Sequence, residues 1–136
     1  AAGQLAELRE MLVDAARELR AFFHCNLELP HMYMLACPRL HLGGMENDGF
    51  IFVKESIGVV THQAGQGRRS AEAATKELVR FVVHEVAHHW IGNRVGFSFA
   101  WKEGITLVLE RYFGNVLLGL PTSQGAHDGS GESAAT

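Results

Sequence analysis

Cysteine, proline and tyrosine are scarce in this chain. Its 136 residues include two cysteines, three prolines and two tyrosines. The cysteines, Cys25 and Cys37, are too few for a disulfide framework, and their spacing is not that of a metal site. They can pair with each other or remain free thiols, and the sequence favours neither state.

The chain also lacks a long apolar run and an excess of positive charge. No apolar segment approaches the roughly eighteen residues of a membrane span, and no signal peptide is apparent. We therefore expect no membrane span and favour a cytoplasmic location. Twelve basic and fifteen acidic residues give a formal net charge of −3, which argues against a nucleic-acid partner.

Hydrophobic residues, by contrast, make up 47% of the chain, which is enough for a real core. A chain of this length is one domain or a piece of one. We predict a folded domain over residues 1–122. Residues 123–136 are rich in glycine, serine and other small or polar residues. Such a composition buries little surface, so we expect a tail or a loop there.

Hydrophobic periodicity and turn-forming residues divide the domain into helices and short strands. The predicted elements are an amphipathic helix over residues 5–23, strands over 32–37 and 50–53, a turn at 65–67, and helices over about 71–91 and 101–118. Ser70 is the expected N-cap of the helix that begins near Ala71. This pattern predicts an α+β fold, in which a small, mainly antiparallel sheet packs on helices.

Residues 84–88 read His-Glu-Val-Ala-His and lie within the predicted helix over 71–91. Two histidines at positions i and i+4 lie on one helix face, one turn apart, so both rings can reach one zinc ion. Glu85 follows the first histidine, where it can take a proton from a zinc-bound water. The alternative is a histidine-rich helix whose histidines are satisfied core residues.

A catalytic zinc ion needs a third protein ligand and keeps a fourth position open for water. Glu103 is the candidate, because a helix joined to the zinc helix by a short connection packs antiparallel to it. Glu110 lies two turns further along, at about 10 Å, and is the alternative ligand. A role beside the site or on the surface is expected for Glu110 and for His89, which is rotated by about 100° from His88.

Three motifs in this order resemble those of the gluzincin aminopeptidases, the family of the aminopeptidase N, puromycin-sensitive and leukotriene-hydrolase type. Residues 43–47 read Gly-Gly-Met-Glu-Asn, which is similar to the family's G-[AG]-M-E-N motif. Residues 84–93 are similar to its H-E-x-x-H-x-W-x-G-N motif. Residues 102–104 read Lys-Glu-Gly, which is similar to its N-E-G segment. The resemblance covers roughly residues 20–118.

The resemblance implies a thermolysin-like zinc-peptidase catalytic domain that releases N-terminal residues from peptides. It implies one zinc ion per chain, held by His84, His88 and Glu103, with Glu85 as the general base. Glu46 would bind the free α-ammonium of the peptide substrate by a charge-assisted hydrogen bond. The other residues of this motif would also bind the substrate; they are Gly43, Gly44, Met45 and Asn47.

The chain departs from the family pattern in three places. After the second histidine, fourteen residues, 89–102, precede Glu103, which is shorter than in the family by about one helical turn. Asp48 stands where the family has a tryptophan. The family also uses a downstream tyrosine to stabilise the oxyanion, and Tyr33 and Tyr112 stand in other contexts.

These departures leave three hypotheses open. The first is a zinc aminopeptidase, of which this chain is a fragment or a reduced version, with further domains in a longer protein. The second is a small gluzincin endopeptidase in which Glu46 has a structural role. The third is a zinc-binding, protease-derived scaffold domain with weak or no activity. Substrates with free and with blocked N-termini separate the first two hypotheses.

Overall fold

The computed structural model describes residues 2–55 and 71–122, with side chains from residue 6 onward. The predicted N-cap Ser70, the predicted turn at 65–67 and the predicted tail at 123–136 lie outside the described residues. Within the described ranges, no helix combines the length and the apolar character needed to cross a membrane. Cys25 and Cys37 are free thiols.

The described part of the chain contains helices at both ends and strands between them. In chain order, the elements are α1 (Ala2–Phe23), β1 (Tyr33–Cys37), β2 (Gly44–Asn47), β3 (Phe50–Lys54), α2 (Ala71–Ala87) and α3 (Phe99–Leu117). This architecture agrees with the predicted α+β class. Both α1 and α3 begin earlier than the hydrophobic periodicity predicts, a difference typical of boundaries read from sequence alone.

The helix that carries the histidine motif ends earlier than predicted. It stops at Ala87, whereas the sequence pattern predicts a helix to about Ile91. The N–H groups of Trp90 and Ile91 both donate to the Ala87 carbonyl, at 3.0 and 2.9 Å, so the chain tightens into turns there. Gly92 then adopts a φ of 117°, which favours glycine and directs the chain away from the helix axis.

The sheet is mixed, so the prediction of a mainly antiparallel sheet is wrong. The strand order is β1-β3-β2, with β1 parallel and β2 antiparallel to the central strand β3. Asp48 and Gly49, with a φ of 76° at the glycine, connect β2 and β3 as a tight hairpin. Strand β2 runs opposite to β1, and β3 reverses direction again after the hairpin, so β3 lies between them and runs parallel to β1.

The sequence pattern does not predict β2 as a strand. Residues 43–47 contain two glycines and no β-branched residue, and this composition is typical of a turn. They become extended because their backbone pairs with β3, placing Met45 opposite Phe52 and Glu46 opposite Ile51. The pairing also makes β2 an edge strand of the described sheet, on the side that contacts α2.

Helix α2 is the centre of the core. Its apolar side chains recur every three or four residues, and Val82, Val83 and Val86 are fully buried. Leu19 of α1 and Ile51 of β3 are fully buried in the same cluster. Since α2 packs against α1, β2 and α3, most of its surface is covered by other elements.

Helices α2 and α3 run antiparallel, as their short connection predicts. Hydrogen bonds join α2 and the turn after it to α3; they include Arg80 with Asn115, His84 with Glu110, and His88 with Thr106. As the residue number rises along α2 and the turn after it, the residue number of the partner on α3 falls. This is the pattern of two antiparallel helices. The histidine face of α2 is therefore turned toward the polar side of α3.

We predict that Leu19→Ala destabilises the chain far more than Val13→Ala on the same helix. Leu19 is fully buried, whereas Val13 is 46% exposed. Truncating the buried leucine leaves a cavity and should lower the free energy of unfolding by about 2–5 kcal/mol. The exposed valine should change it by about 0.5 kcal/mol or less. Urea unfolding followed by circular dichroism measures both, and equal losses would contradict the described core.

Candidate metal centre

His84 and His88 present their Nε2 atoms to each other at a distance of 3.1 Å. His88 lies just beyond the last residue of α2, but its N–H still donates to the His84 carbonyl at 3.2 Å. The helical i, i+4 geometry therefore continues through His88. Both rings line the same cavity, on the face of α2 that the spacing predicts.

The carboxylate of Glu103 lies beside both rings. Its Oε2 atom is 3.4 Å from His84 Nε2, and its Oε1 atom is 3.6 Å from His88 Nε2. The three candidate ligand atoms lie within 4.8 Å of one another. Glu103 stands near the start of α3, just after its first turn, so the shortened connection before it still delivers the carboxylate to the two histidines.

A second contact on each ring fixes the ring's orientation. His84 Nδ1 lies 2.8 Å from Glu110 Oε2. His88 Nδ1 lies 3.1 Å from the Ile91 carbonyl and 3.2 Å from the Thr106 hydroxyl. A carboxylate and a carbonyl only accept hydrogen bonds, so they favour a proton on Nδ1 of each ring. The Nε2 lone pairs then point at each other.

This arrangement concentrates lone pairs and negative charge in a small volume. Burial lowers the pKa of His84, but the Glu110 hydrogen bond and nearby carboxylates raise it more, so the pKa lies above its usual value. Burial lowers the pKa of His88 below its usual value. A divalent cation would satisfy both lone pairs and the Glu103 carboxylate together. Two imidazole nitrogens and a carboxylate oxygen form a donor set that suits zinc.

Glu85 is a buried carboxyl group with an unsatisfied oxygen. It is 5% exposed, and its Oε2 atom has no hydrogen-bond partner among the described residues. Burial raises the pKa of Glu85 to about 7, with smaller effects from the charges of His84 and Glu46. A carboxyl group that titrates near neutral pH can both accept and donate a proton under ordinary conditions.

Strand β2 packs directly on Glu85. A Cβ atom at Gly44 would lie 2.2 Å from Glu85 Oε1 and 2.7 Å from the Cζ atom of Phe81. The absence of a side chain at Gly44 therefore allows the strand to approach the carboxyl group this closely. As a result, the backbone of residues 43–45 and the Glu85 carboxyl group face the same cavity.

Glu46 lies further along β2, and its side chain is 12% exposed. Its carboxylate forms an ion pair with the ammonium group of Lys102, in the first turn of α3. Burial raises the pKa of Glu46, but the hydrogen bond from Lys102 lowers it more, so the pKa lies below its usual value. Sequence analysis misses this pair, although a signal exists: a lysine stands where the resembling motif has an asparagine.

The site groups line one cavity of about 640 Å³. Asn47 is not among its lining residues; its Oδ1 atom accepts a hydrogen bond from the Asp48 N–H at 2.9 Å, within the hairpin turn. The other predicted site residues all line the cavity: Gly43, Gly44, Met45, Glu46, His84, Glu85, His88 and Glu103. The structure therefore brings together every predicted site residue except Asn47.

Glu110 and His89 are predicted to lie beside the site or on the surface, whereas Tyr33 and Tyr112 are not predicted site residues. Glu110 contacts His84, and His89 is fully buried with its Nδ1 atom 3.2 Å from the Glu85 carbonyl, so neither is a free surface residue. Tyr33 and Tyr112 are 49% and 39% exposed and do not line the cavity. Within the described ranges, no tyrosine therefore faces the candidate metal centre.

Comparison with known proteins finds relatives of this chain. Residues 9–124 match the family model described as the peptidase family M1 domain. The chain is 30% identical over 96 residues to aminopeptidase N of Lactococcus lactis subsp. lactis, 33% over 76 residues to aminopeptidase M1 of Arabidopsis thaliana, and 31% over 86 residues to glutamyl aminopeptidase of Homo sapiens. In the same order, these matches cover 71%, 56% and 63% of the length of this chain. They cover 10%, 8% and 8% of the length of the three relatives. The chain thus spans at most about a tenth of their length, and no solved structure matches it.

We predict that Glu110→Ala weakens zinc binding by about tenfold to a hundredfold, because the His84 ring loses the carboxylate that orients it. Competition with a chromophoric zinc chelator measures the affinity. Glu72→Ala is the matched control, since Glu72 also stands on a helix and forms an ion pair, but its side chain is 75% exposed. Equal affinities of the two variants would contradict the orienting role.

We also predict a pH-dependent difference in stability between the metal-free chain and its Glu85→Gln variant. The pKa of Glu85 is raised by burial from 4.5 to about 7, so the folded state holds the proton more tightly than the unfolded state. The resulting stabilisation is fully present below about pH 4.5 and is lost as the pH rises through about 7. The wild type should therefore lose stability relative to the variant between pH 5 and pH 8. Urea unfolding in the presence of a chelator tests this, and a constant difference would contradict it.

Proposed function

Because this chain belongs to peptidase family M1, we propose that it is the metal-binding part of a zinc aminopeptidase, which releases N-terminal residues from peptides. One observation carries this proposal: His84, His88 and Glu103 cluster in a single cavity, with Glu85 and Glu46 beside them. The relatives that are named aminopeptidases support it at the level of the family.

His84, His88 and Glu103 would hold one zinc ion per chain. The donor set supports this assignment, since both Nε2 lone pairs and the carboxylate face one point. Helix α2, the turn that follows it and helix α3 supply the three groups, which supports a thermolysin-like catalytic domain. A zinc ion bound here would supply Lewis-acid polarisation of a carbonyl and a water of lowered pKa.

Glu85 is the proposed general base. Its carboxyl group takes a proton from the attacking water and passes it to the leaving amine. Two properties support this role: burial raises the pKa of Glu85 to about 7, and its Oε2 atom has no hydrogen-bond partner among the described residues. Glu85 also lines the same cavity as the proposed metal ligands, which supports its role as the proton acceptor.

Glu46 is the proposed binding group for the peptide's free α-ammonium. Its carboxylate lies in the same cavity as the metal ligands, so it can set the distance between the N-terminus and the reacting carbonyl. Strand β2 supports this arrangement, because it is the edge strand of the described sheet and a peptide can pair with its free side. Gly43, Gly44 and Met45 would lie along that peptide, and Asn47 would shape the turn at its end.

One observation favours a second candidate, a small endopeptidase of the same zinc-peptidase class. Glu46 already pairs with Lys102, so its carboxylate also has a structural partner within the chain. An endopeptidase binds the interior of a peptide and does not need a carboxylate for an N-terminus. The two candidates therefore differ in their response to a blocked N-terminus.

The test is hydrolysis of leucyl-aminomethylcoumarin and of its N-acetylated form by the zinc-loaded chain. We expect hydrolysis of leucyl-aminomethylcoumarin, whose N-terminus is free. We expect Glu85→Gln to lower kcat for this substrate by about a hundredfold or more without loss of zinc. Glu10→Gln, an exposed position on α1, is the matched control and should leave kcat unchanged.

Three outcomes of this test would contradict the proposal. Equal or faster hydrolysis of the blocked substrate would favour the endopeptidase. Zinc binding without turnover of either substrate would favour the scaffold domain. Unchanged kcat in Glu85→Gln would exclude Glu85 as the base.

A further inference from the structure

The ammonium group of Lys102 forms an ion pair with the carboxylate of Glu46 inside the candidate active-site cavity. The two side chains are 22% and 12% exposed, so this ion pair is largely removed from solvent. Among the described residues, the next carboxylate beside the ammonium is that of Glu103, whose Oε1 atom lies 3.9 Å away. The lysine therefore lies between the proposed amine-binding group and a proposed metal ligand.

The path of the lysine side chain is supported along its length. A Cβ atom at Gly92 would lie 3.0 Å from Lys102 Cε and 3.1 Å from Cδ, so the aliphatic stem runs against the bare backbone of this glycine. The backbone N–H of Lys102 donates to the Ser98 carbonyl at 2.9 Å, which fixes the start of the side chain in the first turn of α3. The backbone of α3 thus fixes the base of the Lys102 side chain, Gly92 contacts its stem, and Glu46 pairs with its ammonium group.

A lysine ammonium and the α-ammonium of a peptide are the same kind of group. Both are compact cations with three N–H donors, and both seek a carboxylate. A peptide N-terminus that approaches Glu46 meets a carboxylate whose charge is already neutralised, with a like charge beside it. It must displace the Lys102 ammonium or bind without the charge-assisted hydrogen bond.

We propose that Lys102 is a specificity-determining residue that occupies the amine-binding position on Glu46 and competes with the N-terminus of the substrate. This inference rests on the proposed aminopeptidase function. It follows that the wild-type chain binds free amines more weakly than a variant that lacks the Lys102 ammonium. Replacing the lysine by a short neutral side chain should release Glu46 and strengthen the recognition of amines.

The first experiment measures binding of 3-methylbutylamine, with 3-methylbutan-1-ol as its neutral analogue, by isothermal titration calorimetry on the chain as purified. We expect Lys102→Asn to bind the amine about tenfold or more tightly than the wild type, since a charge-assisted hydrogen bond becomes available. Alcohol binding should not change. Lys102→Arg keeps the cation and should behave like the wild type.

Two controls separate competition from a general effect on the fold. Lys76→Asn removes a lysine whose partner Glu72 is largely exposed, so it should leave amine binding unchanged. Lys102→Asn combined with Glu46→Gln should lose the gained affinity, because the released carboxylate is gone. Circular dichroism reports whether each variant is folded. Equal amine affinity of folded Lys102→Asn and wild type would overturn the proposal, as would equal gains for the amine and the alcohol.

The second experiment separates this inference from the proposed function. With leucyl-aminomethylcoumarin, we expect Lys102→Asn to lower KM about tenfold while kcat changes less, since the lysine opposes binding of the N-terminus. KM for the N-acetylated substrate should stay the same. If amine binding tightens in Lys102→Asn but no variant turns over either substrate, the competition stands and the aminopeptidase function fails. If turnover occurs with equal amine affinities, the function stands and the competition fails.

Discussion

The packing of α2 between α1, the sheet and α3 is the constraint on which the rest of the structure depends. Fully buried valines on α2, with Leu19 and Ile51 against them, fix the rotation of this helix about its axis. That rotation directs His84 and Glu85 into the cavity instead of the solvent. The indole of Trp90 holds the end of the motif by donating to the Cys25 carbonyl at 3.0 Å, just after α1. The hydrophobic core thus positions polar groups that would otherwise be costly to bury.

Burying the polar and charged groups around the cavity costs free energy. The contacts among these groups offset only part of that cost. Two imidazole lone pairs face each other at 3.1 Å, and carboxylates approach both rings. The pKa of Glu85, raised by burial to about 7, reflects the cost of another charge in this region. Lys102 supplies one balancing cation, and a bound metal would supply the rest. Such local conflict between burial and polarity is typical of functional sites.

The motifs that depend on short-range geometry are the ones that sequence predicts well. The i, i+4 spacing of His84 and His88 determines their shared face, and the antiparallel return of α3 brings Glu103 to it. Strand β2 is hidden by its glycine content, because its extended form comes from pairing with β3 in the hairpin. The parallel pairing of β1 with β3 depends on contacts between residues further apart in the chain, which periodicity does not reveal. The Lys102–Glu46 pair is missed for the same reason, because a flexible side chain links two elements far apart in sequence. The end of α2 at Ala87 is not readable from the helical pattern, because that pattern continues to about Ile91 before Gly92.

Zinc K-edge X-ray absorption of the chain loaded with one equivalent of zinc tests the central claim most directly. The proposed site predicts two imidazole nitrogens at about 2.0–2.1 Å together with oxygen ligands. It also predicts that Glu103→Ala removes a carboxylate oxygen from this shell while both imidazoles remain. A shell that contains no imidazole, or one that is unchanged in Glu103→Ala, would contradict the proposed metal centre.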